Sequence, residues 1–187
     1  MLELAILGLL KESSMHGYQL KKRLSDTLGP FWQVSYGSLY PALKRLQREG
    51  AVEVVFPKQE VVRRRNVYRI TRAGQRSFAE LVEDGVGDRD DDNGFRVRFA
   101  FFRHLKPETR IGLLERRRAH LLDRLADLKS RLRSYREKVD AYTLSLMRHG
   151  MDSTQNDIDW LDDMIQRERR AARRRSRSSA AKKGASS

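Results

Sequence analysis

Between residues 114 and 146 the sequence repeats apolar side chains in two interleaved sevenfold series. Leu114, Leu121, Leu128, Tyr135 and Tyr142 form one, and Leu125, Leu132, Val139 and Leu146 form the other. Spacings of three and four keep such residues on one side of an α-helix, so the pattern predicts a helix with an unbroken apolar seam. At 1.5 Å per residue that seam is about 50 Å long. A stripe of that length must be covered by another helix. Within the chain the candidate is 157–166, DIDWLDDMIQ, with Ile158, Leu161 and Ile165 on one face and Trp160 and Met164 beside them. It is too short to cover everything, so a second copy of the chain is expected. The two series and Trp160 would form the contact, with the orientation of the paired helices left open.

Upstream, the acidic stretch EDGVGDRDDDNG at 83–94 interrupts all apolar periodicity and reads as a linker. The expected organisation is a first domain at 1–82, the linker at 83–94, a helical domain at 95–168 and a disordered basic tail at 169–187. In the helical domain Phe95, Phe99 and Phe102 fall on one side of a helix, and Pro107 followed by Glu108 marks a fresh helix start. In the first domain, LELAILGLL is apolar nearly all round and should be buried as a helix. A second helix from about His16 to Leu28 is stopped by Gly29-Pro30, and a third runs from an N-cap at Ser35 to Gly50. Leu39, Leu43 and Leu46 face inward from this third helix, whereas Ser38, Lys44, Arg45 and Arg48 lie on its other faces. Pro41 sits in its interior, where a proline costs about 3 kcal/mol unless accommodated, so the regular helix would begin only just before it. AVEVVF at 51–56 and NVYRI at 66–70 read as two strands of a hairpin with Arg63, Arg64 and Arg65 at or beside its tip, and Thr71 caps one more helix.

Three helices, a two-stranded hairpin and a helix in about 82 residues are the order of a winged helix-turn-helix. The fold class expected for the whole chain is therefore mostly α with a small β-hairpin, the winged helix being followed by a long-helix dimerisation domain. In such a fold the third helix enters the major groove of double-stranded DNA and the hairpin follows the backbone or the minor groove. Base reading would fall to Ser35, Tyr36 and Ser38. Lys44, Arg45, Arg48 and Arg63 to Arg65 would meet phosphates, and Tyr18, Tyr36 and Tyr40 are either contacts or half-buried core. A dimer would set two reading helices against a pseudo-palindromic operator.

Charge agrees with this reading. The chain carries a net charge of +14, of which residues 167–187 supply nine basic side chains against one acid. That end serves either as a non-specific phosphate contact or as a solubilising tail. The absence of cysteine excludes disulfides, thiolate metal sites and a cysteine nucleophile. His16, His104, His120 and His149 lie too far apart for a short metal motif, and neither a phosphate loop nor a nucleophile–base pair is evident. No cofactor, no metal and no enzymatic activity are expected. No apolar run is long enough to span a membrane, and the first residues do not read as a signal peptide, so a cytoplasmic location is expected. Trp32, Phe99, Phe102 and Trp160 are candidates for a planar-ligand pocket, although aromatic residues at helical spacing are more often core.

LELAILGLLKE, HGYQLKKRL at 16–24, VSYGSLYPALKRLQREGAVE at 34–53 and YRITRAGQR at 68–76 resemble the PadR family of bacterial transcriptional regulators. The HGY of His16–Tyr18, the GSLYPAL of Gly37–Leu43 and the YRIT-x-x-G of Tyr68–Gly74 occur in order and spacing. Residues 95–170 look like the larger C-terminal domain of one branch of that family. The resemblance implies a homodimeric, usually repressing regulator, released from DNA by a small aromatic or planar effector. It also implies DNA contact by Tyr18, Ser35, Ser38, Tyr40 and Lys44, with Arg63 to Arg65 in the wing, and makes Pro41 an ordinary residue of its helix. The competing reading is a dimeric coiled-coil scaffold or adaptor that touches nucleic acid only non-specifically, through its basic tail.

Overall fold

The computed structural model describes residues 1–29, 32, 34–55, 66–83, 92–135 and 138–184, with side chains as far as residue 175. The chain divides into two compact units, Met1–His104 and Leu105–Ser187. Mostly helical, with one small antiparallel sheet, it is a winged helix-turn-helix followed by long C-terminal helices.

The first unit is built on α1 (Leu2–Leu10), in which every residue from Leu4 to Leu10 is buried. Burial of this run contributes roughly 1.5–3 kcal/mol per large aliphatic side chain to the unit. Around α1 pack α2 (Gly17–Leu28), α3 (Tyr36–Arg48), α4 (Arg72–Glu83) and α5 (Asp92–Ala100). The C-cap of α2 is Gly29 at φ 75°, a left-handed position that glycine occupies without steric cost. A sheet of order β1-β3-β2 completes the unit. β2 (Val52–Val55) and β3 (Val67–Ile70) are the expected hairpin strands, whereas β1 (Met15–His16) was not legible, being only two residues long. The acidic stretch between Asp84 and Asp91 and the wing tip bearing Arg63, Arg64 and Arg65 lie outside the described residues.

The phenylalanines of the following segment pack within this first unit. α5 touches α1 and α2, and Phe101 lies so close to Gly8 of α1 that a Cβ there would sit 2.5 Å from its ring. Phe101 also meets Phe78 of α4 edge-to-face at 6.3 Å. A single 3-10 turn, Phe102–His104, closes the unit. There Arg103 and, from α2, Arg23 (2.9 Å) both pair with Glu12 at the end of α1.

The second unit corrects the expectation of one long seam. The helix does not run through Leu146: α6 (Pro107–Tyr135) ends, and α7 (Ala141–Gly184) turns back along it. Ion pairs Arg110–Glu168 (3.1 Å), Glu115–Arg169 (2.6 Å) and Arg118–Asp162 (2.6 Å) give the antiparallel sense of this hairpin. Arg118–Asp162 and Glu115–Arg169 are exposed and add little stability, whereas Arg110–Glu168 is largely buried; all three mark the register. The physical reason for the break is a competing cap. The Asp140 carboxylate accepts hydrogen bonds from the backbone N–H groups of Tyr142 (2.8 Å) and Thr143 (3.0 Å) and from the Thr143 hydroxyl (2.6 Å), which starts a new helix. Of the seam residues, Leu114, Leu121 and Leu125 are fully buried and Leu128, Leu132 and Val139 half-buried. Ile158, Leu161 and Ile165 of the same chain supply the facing buried stripe. Tyr135, Tyr142 and Leu146 remain 50 %, 89 % and 71 % exposed, so the hairpin does not bury them.

Those hydrogen bonds, the one from the Thr143 hydroxyl first, hold the Asp140 carboxyl below the usual aspartate range. A depressed carboxyl stabilises the folded state above its ordinary pKa, and this contribution fades as pH falls through the folded value. Asp140→Ala should therefore lower the urea midpoint of the protein at pH 7, and the gap to the wild type should close in strong acid. A gap that persists unchanged under acid would separate the effect from the carboxylate cap.

Candidate nucleic-acid interface

The third helix begins on a side-chain cap. The Ser35 hydroxyl oxygen accepts from the Ser38 backbone N–H at 3.1 Å, and the Ser38 hydroxyl donates back to the Ser35 carbonyl at 3.0 Å. α3 then runs without interruption through Pro41, five residues inside it, so the proline is an ordinary residue of its helix, as the resemblance implies, and not the start that its cost alone suggests. Leu39, Ala42, Leu43 and Leu46 are buried. With 3.6 residues per turn, Gly37, Pro41, Lys44 and Arg48 fall on the opposite, exposed line. Pro41 thus carries its missing donor on the water-facing side, where the carbonyl it leaves unpaired is free to be solvated.

From Tyr36 to Arg48 the helix contains no acidic residue, and its outer face presents Lys44 and Arg48 to solvent. Flanking that line on one side are Tyr36 and Tyr40, both exposed, with rings stacked at a centroid distance of 6.0 Å and an interplanar angle of 21°. On the other side Ser38 is exposed, while Arg45 is tied by its guanidinium to Glu3 of α1. That ion pair reaches across 42 residues of sequence and was not visible in any local pattern. Tyr18, at the start of α2, is 69 % exposed, so it is surface rather than core. Tyr18, Tyr40, Gln19, Asn66 and His16 line an open cleft of about 770 Å³ beside the root of the wing.

The aromatic candidates for a ligand pocket divide between the units. Trp32 and Phe99 line one small cleft of about 230 Å³ with Thr27, Leu28 and Arg96, and Phe102 packs on Phe99 at 4.9 Å. Trp160 belongs to the second unit, on α7, and is 43 % exposed. Among the described residues no group of three His, Asp or Glu side chains could hold a metal ion. No described helix is long and apolar enough to cross a membrane.

A helix-turn-helix backed by an antiparallel wing sheet, with a basic, acid-free outer face on its second helix, is the architecture of winged-helix regulators. Residues 6–80 match the Transcriptional regulator PadR-like family, and the first unit has a winged-helix fold. Residues 93–169 match a second family, Virulence activator alpha C-term. The chain is similar to the negative transcriptional regulator PadR of Bacillus subtilis, at 21% identity over 173 residues, covering 88% of this chain and 95% of that protein. It is also similar to a probable transcriptional regulator of Mycobacterium tuberculosis, at 21% identity over 178 residues and 87% and 94% coverage. Among solved structures it resembles Bacillus subtilis PadR in complex with operator DNA, with 20% identity, a TM-score of 0.42, and 89% and 98% of the two chains covered.

The Ser35 cap makes a prediction about stability alone. Ser35→Ala should lower unfolding free energy by about 1 kcal/mol, seen as a lower urea midpoint at unchanged slope. A midpoint equal to that of the wild type would mean that the cap contributes nothing to the start of α3.

Proposed function

We propose that this chain is a PadR-type regulator, of the branch with the larger helical C-terminal domain, that represses transcription as a cytoplasmic homodimer on a pseudo-palindromic operator. The observation that carries the reading is the outer line of α3, where Lys44 and Arg48 stand clear of any acidic neighbour in the helix and are flanked by Tyr36, Tyr40 and Ser38. Arginine and lysine supply charge to phosphates, while the serine and tyrosine hydroxyls supply short hydrogen bonds to base edges or backbone. Tyr18 and the wing arginines Arg63 to Arg65 extend the same footprint. Arg45, spoken for by Glu3, takes a lesser part.

Self-association is supported by the apolar residues that the α6–α7 hairpin leaves in water, above all Tyr142 and Leu146. A dimer formed in this way would carry two α3 helices, as an operator with half-sites in successive major grooves, about 34 Å apart, requires. The candidate site for a planar effector is the small cleft lined by Trp32, Phe99 and Arg96.

The test is a salt series on a duplex selected by the protein from a random pool. Lys44→Ala should weaken binding at all salt concentrations and lower the slope of log K against log salt by about 0.9 per subunit, one released counterion each. Arg45→Ala should change the slope by less. Equal slopes for wild type and Lys44→Ala would remove Lys44 from the interface. Selection that enriches no sequence would overturn sequence-specific regulation altogether.

A further inference from the structure

α2 and α3 are joined at the surface by a column of four residues. The ring of Tyr40 rests on the backbone of Gly17, where a Cβ would stand 3.0 Å from the tyrosine hydroxyl oxygen and 3.1–3.2 Å from ring carbons. Tyr36 stacks on Tyr40 at 6.0 Å. The Lys21 ammonium then lies over the Tyr36 ring, 4.0 Å from its centroid. Gly17 and Lys21 are one turn apart on α2, and Tyr36 and Tyr40 one turn apart on α3, so two i,i+4 pairs interlock across the helix-turn-helix.

The consequence concerns Tyr36. It is the first residue of α3, exposed, at the end of the helix that meets base edges in a helix-turn-helix. An exposed tyrosine there would ordinarily sample several rotamers and lose that freedom on binding. Here one face of its ring is stacked and a cation sits over the ring, which limits those rotamers before any ligand arrives. A half-buried lysine committed to a ring face is also drawn away from the open water in which it would meet a phosphate.

We propose that Lys21 is a positioning residue for base readout: it holds Tyr36 in the orientation that reads the operator and so sets specificity through Tyr36, not through its own charge on a phosphate. The inference rests on the DNA-binding reading above. Gly17 has its place in the same device, since a Cβ there would press on the Tyr40 ring and shift it by a few tenths of an ångström, and with it the platform beneath Tyr36.

The experiment compares wild type, Lys21→Met, Lys21→Arg and Gly17→Ala as full-length proteins. Each is tested on the duplex that wild type selects from a random pool and on a scrambled duplex of equal length. Circular dichroism melts confirm that each variant is folded. Lys21→Met keeps the stem and loses the cation, and should reduce the ratio of selected to scrambled affinity by about two- to fivefold per half-site, the scale of an exposed cation–π contact. Lys21→Arg, which keeps a cation over the ring, should restore the ratio. Gly17→Ala should lower the ratio with no change of charge. The lysine ε-methylene protons of the free protein should be shifted upfield by the ring and return on Tyr36→Leu. If Lys21→Met weakens both duplexes equally and only flattens the salt slope, Lys21 is a phosphate contact and the proposal falls while the DNA-binding reading stands. If wild type selects no sequence, both fall.

Discussion

The first unit depends on the burial of α1. Seven consecutive residues, Leu4 to Leu10, are buried, and four helices and β3 are arranged around them. A helix buried all round dictates where its neighbours turn their apolar sides. α3 must give it Leu39, Leu43 and Leu46, and the other face of α3 is thereby committed to solvent. Because that remaining face is basic and acid-free, the orientation of the proposed DNA-binding surface follows from core packing rather than from any local feature of the surface. Glu3 and Glu12, at the two ends of α1, add polar ties to Arg45 on α3 and to Arg23 and Arg103.

Most of this unit is legible in the sequence because its signals are local. Ser35 precedes an amphipathic run and caps it, Gly29 ends α2, and alternation marks β2 and β3. What escapes is non-local. β1 is two residues long and exists through pairing with β3, and the Arg45–Glu3 bridge spans the unit. The Lys21–Tyr36–Tyr40 column needs the angle between two helices, which spacing within either one does not give.

The second unit teaches the opposite lesson, that a strong periodic signal can be overruled by a weak local one. Leucines and tyrosines seven apart from Leu114 to Tyr142 favour one long helix, yet Asp140 and Thr143 cap a new one, and the chain folds back. Much of the partner for the seam then comes from the same molecule, through Ile158, Leu161 and Ile165. The seven-residue period correctly marks which side of α6 is apolar. It carries no information on whether the covering helix belongs to the same chain, since a hairpin and a dimer bury the same stripe. Tyr135, Tyr142 and Leu146, left in water near the turn, are what remains to account for beyond the hairpin.

The proposed regulator would read one face of a duplex with two copies of α3. Hydroxyl-radical footprinting on a duplex selected from a random pool tests it most directly. The account predicts two protected patches with centres about one helical turn, 10–10.5 base pairs, or a whole multiple of it apart on the same face, both lost in Lys44→Ala/Arg48→Ala protein. Diffuse protection without a periodic pattern, unaffected by that double substitution, would contradict it.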